Sequence, residues 1–373
     1  MCVYRNFWYL QKTKEWTTVT VKDMVSKLTL ISTAQYNTFE DSTKISVEVT
    51  HQTTGRTLTS SSSHRAEFYF QCAALVVGVV GAAANGLVLY ALVTSKQHKK
   101  HMLIFNQNVF DFVNCLCFAV VIPLELSNIY FSGMGGYCLC LMLLSYAGSW
   151  AANIGSLVNL AAISIERYLR VVHHVWAKNK LRNWMIYLAI TFAWTSGIVI
   201  AAAITVKTTT VVNGVCYTGV FLLSDTAHKI YEIYDFLSFY VIILLIFIFC
   251  YGRILVVIRQ QAHVMAAHCG QGSNVAQDQS NKIQTSVIKT MILVCVLFAI
   301  TLAPANIYML MINFHELMID QNVLYVVLSI AYIYIIANPF IYATKFDPVK
   351  RVLLGLILCK KNNMQAHESG GNT

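Results

Sequence analysis

Seven long apolar stretches divide this chain, and they limit the folds that it can adopt. They occupy residues 68–93, 102–126, 138–165, 185–206, 230–257, 286–313 and 323–342. Each contains at least the roughly 20 residues that an α-helix needs to cross the hydrocarbon core of a bilayer. Of the 373 residues, 57% are hydrophobic and only 12% are charged, which leaves too few polar residues to cover a water-soluble fold. The sequence therefore predicts an all-α membrane protein, a seven-transmembrane helix bundle.

Basic residues are distributed unevenly between the two sides of the predicted bundle. Lys and Arg cluster in the loops after the first, third and fifth spans and after the seventh, whereas residues 128–137 and 315–322 contain neither. Because positive charge is retained on the cytoplasmic side, we expect an extracellular N-terminus and a cytoplasmic C-terminus. The net charge of +10 is explained by this topology and does not require a nucleic acid partner.

Polar and proline residues interrupt the apolar spans and must face another helix or a cavity. Asp111 lies near the middle of the second span, where a carboxylate needs hydrogen-bonding or cationic partners unless it is protonated. Candidate partners in other spans are Asn85, Ser156 and Asn338. A neutral Asp111 bonded to backbone is the alternative. Proline removes a helical hydrogen bond, so kinks are predicted at Pro123, Pro304 and Pro339.

Short motifs occur at fixed places in these spans. The third span ends in Glu166-Arg167-Tyr168, and the seventh contains Asn338-Pro339-Phe340-Ile341-Tyr342. Single residues mark the other spans: Asn85, Asp111, Trp194, Tyr251, Phe298 and Pro304. Taken in order, these motifs resemble the rhodopsin-like (class A) G-protein-coupled receptors over about residues 68–359. The resemblance implies a plasma-membrane receptor without enzymatic activity that transmits ligand binding to a heterotrimeric G protein.

The resemblance also implies roles for these residues. Glu166 is expected to hold Arg167 in the inactive state, and Tyr168 lies beside this pair at the edge that faces the G protein. Tyr251 and Tyr342 are expected to support the active position of Arg167, with Asn338 and Pro339 forming a hinge. Asn85, Asp111, Ser156 and Asn338 suit an allosteric sodium ion, although the bulky Tyr334 nearby leaves sodium binding open.

Three residues depart from the family pattern. Leu302 stands where most members have a sixth-helix Trp, so the usual switch below the ligand is absent or altered. Ile243 replaces the fifth-helix Pro, which predicts that the bulge at that Pro is missing. Gln284 lies about where some members carry an acid that locks the third-helix Arg. The lock on Arg167 is therefore expected to rest mainly on Glu166.

The chain divides into four regions by this comparison: a disordered extracellular tail at 1–66, the receptor domain at 67–346, an amphipathic eighth helix at 347–359 and a cytoplasmic tail at 360–373. The family ties the second outer loop to the third helix by a disulfide. We expect that bond between Cys140 and Cys216, with Cys138 as the alternative partner. Cys359 beside Lys360 is a candidate lipidation site, and a free cysteine there is nearly as compatible.

The resemblance implies a ligand cavity between the third, fifth, sixth and seventh helices. Ser149 replaces the Asp of aminergic receptors and Tyr332 replaces the Lys that carries retinal in opsins, so neither an amine receptor of the standard kind nor a retinal cofactor is expected. Glu232 and Asp235 share a helix face and, with Glu125, suggest a cationic ligand, either a peptide or a protonated amine. Hydrated rim carboxylates are the alternative. Further candidates for the cavity are Tyr146, Ser149, Trp150, Leu302, Asn306 and Tyr332.

Other classes of function fit the sequence less well. A receptor-shaped protein that does not signal, or is constitutively active, is the main alternative because of Leu302 and Ile243. A transporter would be expected to show repeats or broken helices in paired halves, which the sequence lacks. The sequence does not reveal the ligand, the G-protein subtype or the oligomeric state.

Overall fold

The computed structural model describes residues 54–127, 132–212, 214–218, 225–267, 275–315, 321–346 and 349–356. Within these ranges, seven helical segments are long and apolar enough to cross a membrane. From the first span to the seventh they are Ala66–Thr94, Met102–Leu126, Gly133–Val172, Asn183–Thr208, Lys229–Gln260, Ile288–Ile312 and Asn322–Lys345. Each overlaps one of the seven predicted stretches, which confirms an all-α membrane protein with a seven-helix bundle.

Several helices extend beyond the spans. In chain order the α-helices of the described residues are α1 Thr54–Thr94, α2 Met102–Leu126, α3 Gly133–Leu139, α4 Ala147–Val172, α5 His174–Lys180, α6 Asn183–Thr208, α7 Asp225–Asp235, α8 Ile242–Ala267, α9 Val275–His315 and α10 Gln321–Lys345. A short antiparallel hairpin of β1 Thr209–Val212 and β2 Val215–Thr218 follows α6. Residues 349–356 form a further helical segment.

Two predicted regions are only partly described. Helix α1 begins at Thr54, so residues 54–66 of the predicted tail are helical, and residues 1–53 lie outside the described residues. The helical segment 349–356 lies within the predicted eighth helix at 347–359. Cys359 and the predicted cytoplasmic tail at 360–373 are outside the described residues.

The fifth span contains a π-helical turn, Phe236–Val241, between α7 and α8. The prediction from Ile243 that a bulge is missing here is wrong. Tyr240 donates a hydrogen bond of 3.1 Å to the Ala299 carbonyl oxygen of the sixth span, and its ring stacks on Phe298 at 5.7 Å. Contacts with the sixth span thus hold the wider turn without a proline.

The third and fourth spans approach each other at glycine residues. A Cβ atom at Gly197 would lie 2.3 Å from the Ala151 carbonyl oxygen, and one at Gly155 would lie 2.4 Å from the Phe110 ring. The Phe110 ring also stacks on Trp194 at 4.2 Å. Small residues allow helices in a membrane to pack backbone against backbone, so Gly197 and Gly155 set the separation of these two spans.

We expect Gly197→Ala to lower the stability of the purified receptor by roughly 1–3 kcal/mol, because the added methyl group meets backbone that cannot move aside without separating the spans. The midpoint of thermal unfolding in detergent measures the effect. Gly252→Ala is the matched control, since a Cβ atom at this helical glycine meets nothing within 4 Å. Equal midpoints for the two variants would contradict the close approach at Gly197.

Candidate functional site

One end of the bundle is marked by a disulfide bond between Cys140 and Cys216, whose Cα atoms are 5.7 Å apart. Cys216 lies in β2, opposite Val211 of β1, and Cys138, the alternative partner, is free and exposed. The pairing is therefore the one that the family resemblance implied. We call this end of the bundle the disulfide end.

The backbone of the third span is irregular next to the disulfide. A π-helical turn, Cys140–Leu144, joins α3 to α4, and Tyr146 before α4 has a positive φ of 56°. Such a turn changes the register between a helix and the residues that precede it. The irregularity therefore lies between Cys140 and the helix that carries Ser149 and Trp150.

A cavity of about 190 Å³ lies between the third, fifth, sixth and seventh spans near the disulfide end. Among the predicted ligand residues, the following line it: Tyr146, Ser149, Trp150, Glu232, Asp235, Leu302, Asn306 and Tyr332. Much of the remaining lining is apolar, including Phe236, Phe239 and Met309. The structure therefore brings residues from four predicted spans into one concave site.

Acidic residues are placed differently around this cavity. Glu232 and Asp235 line it one helical turn apart, and neither has a hydrogen-bond or salt-bridge partner among the described residues. Glu125, the third predicted acid, is not among the lining residues. Its carboxylate accepts a hydrogen bond of 2.7 Å from the hydroxyl group of Tyr146, which itself lines the cavity. The cavity thus contains two carboxylates on one face of the fifth span.

Asp111 lies in the buried centre of the bundle. Its Oδ1 atom accepts hydrogen bonds from the Ser156 hydroxyl at 3.0 Å and the Gln107 amide at 3.5 Å, and its Oδ2 atom accepts one from the Asn338 amide at 2.9 Å. Ser156 and Asn338 were predicted partners. Asn85, the third predicted partner, instead donates to the Gly81 carbonyl of its own helix at 3.0 Å.

Four side chains that were not predicted as members of this cluster connect it to the fourth span. Asn159 donates to Gln107 Oε1 at 2.8 Å, Asn106 donates to Asn159 Oδ1 at 3.0 Å, and Trp194 Nε1 donates to Asn106 Oδ1 at 3.0 Å. The consecutive amides that precede Asp111 in the sequence were the available signal, because a lipid-facing amide would be costly. Together with Asn338, these bonds join four spans.

The Asp111 carboxylate is surrounded by hydrogen-bond donors of the protein. Hard cations are bound by several oxygen ligands, often six or more, but the Asp111 carboxylate is faced by two amide N–H groups and one hydroxyl. Gln107 also donates to Ser156, and Tyr334 is fully buried. Asn338 Oδ1 and the Tyr334 hydroxyl lack a hydrogen-bond partner in the described part of the chain. The Asp111 carboxylate is thus bonded directly to side chains of the protein.

The opposite end of the third span carries the Glu166-Arg167 pair, and we call it the Arg167 end. Both side chains are buried, with Arg167 Nε 3.0 Å from Glu166 Oε2. Neither of these two atoms makes a well-directed hydrogen bond. Arg170 Nε donates to Glu166 Oε1 at 2.5 Å, and Arg167 Nη2 lies 3.3 Å from His101 Nδ1. Sequence reasoning missed both Arg170 and His101.

The predicted switch tyrosines lie at different depths. The Ser164 hydroxyl donates to the buried Tyr251 hydroxyl at 3.3 Å, and Tyr342 is buried with no partner for its hydroxyl among the residues described. Tyr168 lies nearer the surface and bonds His173 Nε2 at 3.2 Å. The side chain of Gln284 lies outside the described residues, so the absence of a lock from the sixth span stays a prediction.

The family described as 7 transmembrane receptor (rhodopsin family) matches residues 84–342. This range is more than half of the chain and contains the cavity, the Asp111 cluster and the Arg167 end. The chain therefore belongs to the rhodopsin family of seven-transmembrane receptors, and it is a receptor, not an enzyme.

Individual relatives are distant. Mas-related G-protein coupled receptor member H from Rattus norvegicus is 26% identical over 155 residues, which cover 41% of this chain and 46% of that receptor. Neuropeptide Y receptor type 2 from Bos taurus is 22% identical over 313 residues, which cover 78% of this chain and 75% of that receptor. The chain thus spans less than half the length of the Mas-related receptor that it matches.

The fold is also that of a solved structure. The crystal structure of squid rhodopsin superposes with a TM-score of 0.62 at 18% sequence identity, and the superposition covers 78% of this chain and 86% of that chain. This likeness shows the shared architecture.

Proposed function

We propose that this chain is a plasma-membrane receptor that converts the binding of an extracellular ligand into activation of a heterotrimeric G protein. The observation that supports the proposal is the placement of two sites on one helix. Ser149 lines the cavity near the start of α4, and Arg167 is buried near its end. Their separation along the helix axis is about 27 Å, close to the thickness of a bilayer core.

The proposed orientation has the disulfide end outside the cell. Lys178, Lys180 and Arg182 follow the Arg167 end of the third span, as the retention of positive charge in cytoplasmic loops would require. The disulfide fits the oxidising extracellular side. In this orientation, the cavity receives a ligand from outside and Arg167 faces the cytoplasm.

Polar contacts lead from the cavity to the centre of the bundle. At the cavity, Ser149 donates a hydrogen bond to Asn114, which lies three residues from Asp111 on α2. Asp111 is bonded to Asn338 at the Asn-Pro step of the seventh span. A ligand that binds the active arrangement more tightly shifts the population toward it, by no more than its difference in affinity. Pro304 and Pro339 are the proposed hinges.

We expect Arg167→Ala to abolish guanine-nucleotide exchange while the receptor still reaches the cell surface, because Arg167 is the group proposed to contact the G protein. Exchange is measured with purified receptor and a panel of G proteins, with and without a library of cationic compounds and peptides. Arg182→Ala is the control, since this arginine is exposed at the same end of the bundle. Normal exchange in Arg167→Ala would contradict its role, and no exchange in the wild type would favour a receptor-shaped protein that does not signal.

The proposed ligand is cationic, a peptide with an Arg or Lys side chain or a protonated amine. Glu232 and Asp235 lie in a largely apolar cavity, where an unpaired carboxylate is costly and a ligand cation would offset that cost. Trp150 and Tyr332 line the same cavity and can offer aromatic faces to the cation. A relative that is named as a neuropeptide receptor is consistent with a peptide ligand.

We expect Asp235→Asn to raise the half-maximal concentration of a cationic agonist by roughly tenfold or more, because a charge-assisted hydrogen bond is lost. Dose–response curves for nucleotide exchange measure the shift. Glu125→Gln is the matched control, since Glu125 is bonded to Tyr146 and does not line the cavity. An unchanged response in Asp235→Asn would rule out this carboxylate as the anchor.

We further propose that amide groups occupy the place of a sodium ion at Asp111. Gln107 contributes an amide N–H group to Asp111 and Ser156, and Asn338 contributes another to Asp111. In this arrangement the protein itself supplies the positive ends of dipoles that stabilise the carboxylate. Asp111 is thereby held without a bound cation.

We expect the thermal midpoint of the purified wild-type receptor to be the same in sodium chloride as in choline chloride at equal ionic strength. In Gln107→Leu the loss of the amide opens the carboxylate, so sodium should stabilise this variant selectively. Gln107→Leu combined with Asp111→Asn is the control, because it removes the charge that would attract the ion. A selective effect of sodium on the wild type would overturn the proposal.

A further inference from the structure

The directional hydrogen bond of Arg167 is made to His101 rather than to Glu166. Glu166 lies within 3.0 Å of Arg167, but Glu166 Oε2 and Arg167 Nε are not aligned for a hydrogen bond. Glu166 instead accepts a well-directed hydrogen bond from Arg170 at 2.5 Å. Within the described part of the chain, Arg167 Nη2 makes its hydrogen bond to His101 Nδ1, at 3.3 Å. Glu166 therefore acts on Arg167 mainly by charge.

The chemistry of the pair determines the protonation of His101. Arginine remains protonated in proteins and can only donate, so His101 Nδ1 must accept and the ring must be neutral. Burial, and to a smaller extent the nearby charges of Arg167, Arg170 and Lys100, lower the pKa of His101 from its usual value to about 4. Glu166 is the acid in this group, and it is engaged by both arginines. His101 is thus a neutral acceptor throughout the physiological pH range.

The position of His101 is determined by its backbone and by its ring. Its backbone N–H donates to the Gln97 carbonyl at 2.9 Å, and its own carbonyl accepts from Phe105 at 3.0 Å. The ring meets the buried Phe346 ring edge-on at 5.4 Å. Phe346 immediately follows α10, and its carbonyl accepts hydrogen bonds from Val349 and Lys350 at 3.0 Å. His101 therefore contacts both the third span and the junction after the seventh.

We propose that His101 is a positioning residue that restrains Arg167 in the inactive arrangement and couples its release to movement at Phe346. This inference rests on the proposed function, in which Arg167 is the group that contacts the G protein. The restraint comes from the start of the second span, whereas the family pattern places it on the sixth, where this chain has Gln284. A neutral acceptor binds arginine less strongly than a carboxylate does. A ligand therefore needs a smaller difference in affinity between the inactive and active arrangements to release Arg167.

The test compares substitutions that separate the acceptor from the packing of the ring. His101→Phe keeps an aromatic ring against Phe346 and removes the acceptor, so basal nucleotide exchange should rise by roughly three- to tenfold. Amide hydrogen exchange at residues 163–172 of the purified receptor should also become faster. His101→Asn places an oxygen acceptor close to the position of Nδ1 and should restore wild-type values. His101→Leu serves as a second apolar variant should the phenylalanine variant not fold.

His98→Phe is the matched control, because His98 lies in the same loop and packs near Phe105 rather than near Arg167. The restraint is overturned if His101→Phe and His98→Phe behave alike, or if His101→Asn behaves like His101→Phe. Hydrogen exchange requires no G protein. A response in hydrogen exchange with no nucleotide exchange in any variant would therefore support the restraint and overturn the proposed coupling, so the two failures are distinguishable.

Discussion

The buried carboxylate of Asp111 is the constraint on which the interior of this protein depends. A charge in the middle of a membrane-spanning bundle is expensive unless other groups satisfy it. The hydroxyl and amide groups that face Asp111 come from its own span and from the third and seventh spans. Once these groups are buried, their own remaining donors and acceptors need partners. The chain of amides to Asn106 and Trp194 meets that need for Gln107.

The fold was predictable because the property that determines it is local in the sequence. Length and apolarity were enough to locate each span. The motifs at Arg167 and Asn338 identified the third and the seventh span of the family pattern. The partners of single polar side chains were harder to predict. Asn85 was as good a candidate as Ser156 for bonding Asp111, yet it bonds its own helix. The choice depends on the rotation of each helix, which the sequence pattern does not specify.

Backbone irregularity was the second feature that sequence reasoning did not capture. The absence of proline at Ile243 suggested a regular fifth helix, but contacts made by Tyr240 with the sixth span accompany a π-helical turn there. The third span also has a π-helical turn, near Cys140, followed by a left-handed residue at Tyr146. Phe236 and Phe239 of the fifth-span turn and Tyr146 of the third span line the cavity. Its walls are therefore shaped in part by departures from α-helical geometry.

The close approach at Gly197 has a mechanical consequence for the whole bundle. The Ala151 carbonyl oxygen lies only 2.3 Å from the place of a Cβ atom at residue 197, while Trp194 and Asn159 are both bonded to Asn106 of the second span. Backbone contact on one side and hydrogen bonds on the other tie the second, third and fourth spans together. Rearrangement of the bundle is then expected in the remaining spans, with these three spans serving as the frame against which their displacement is measured.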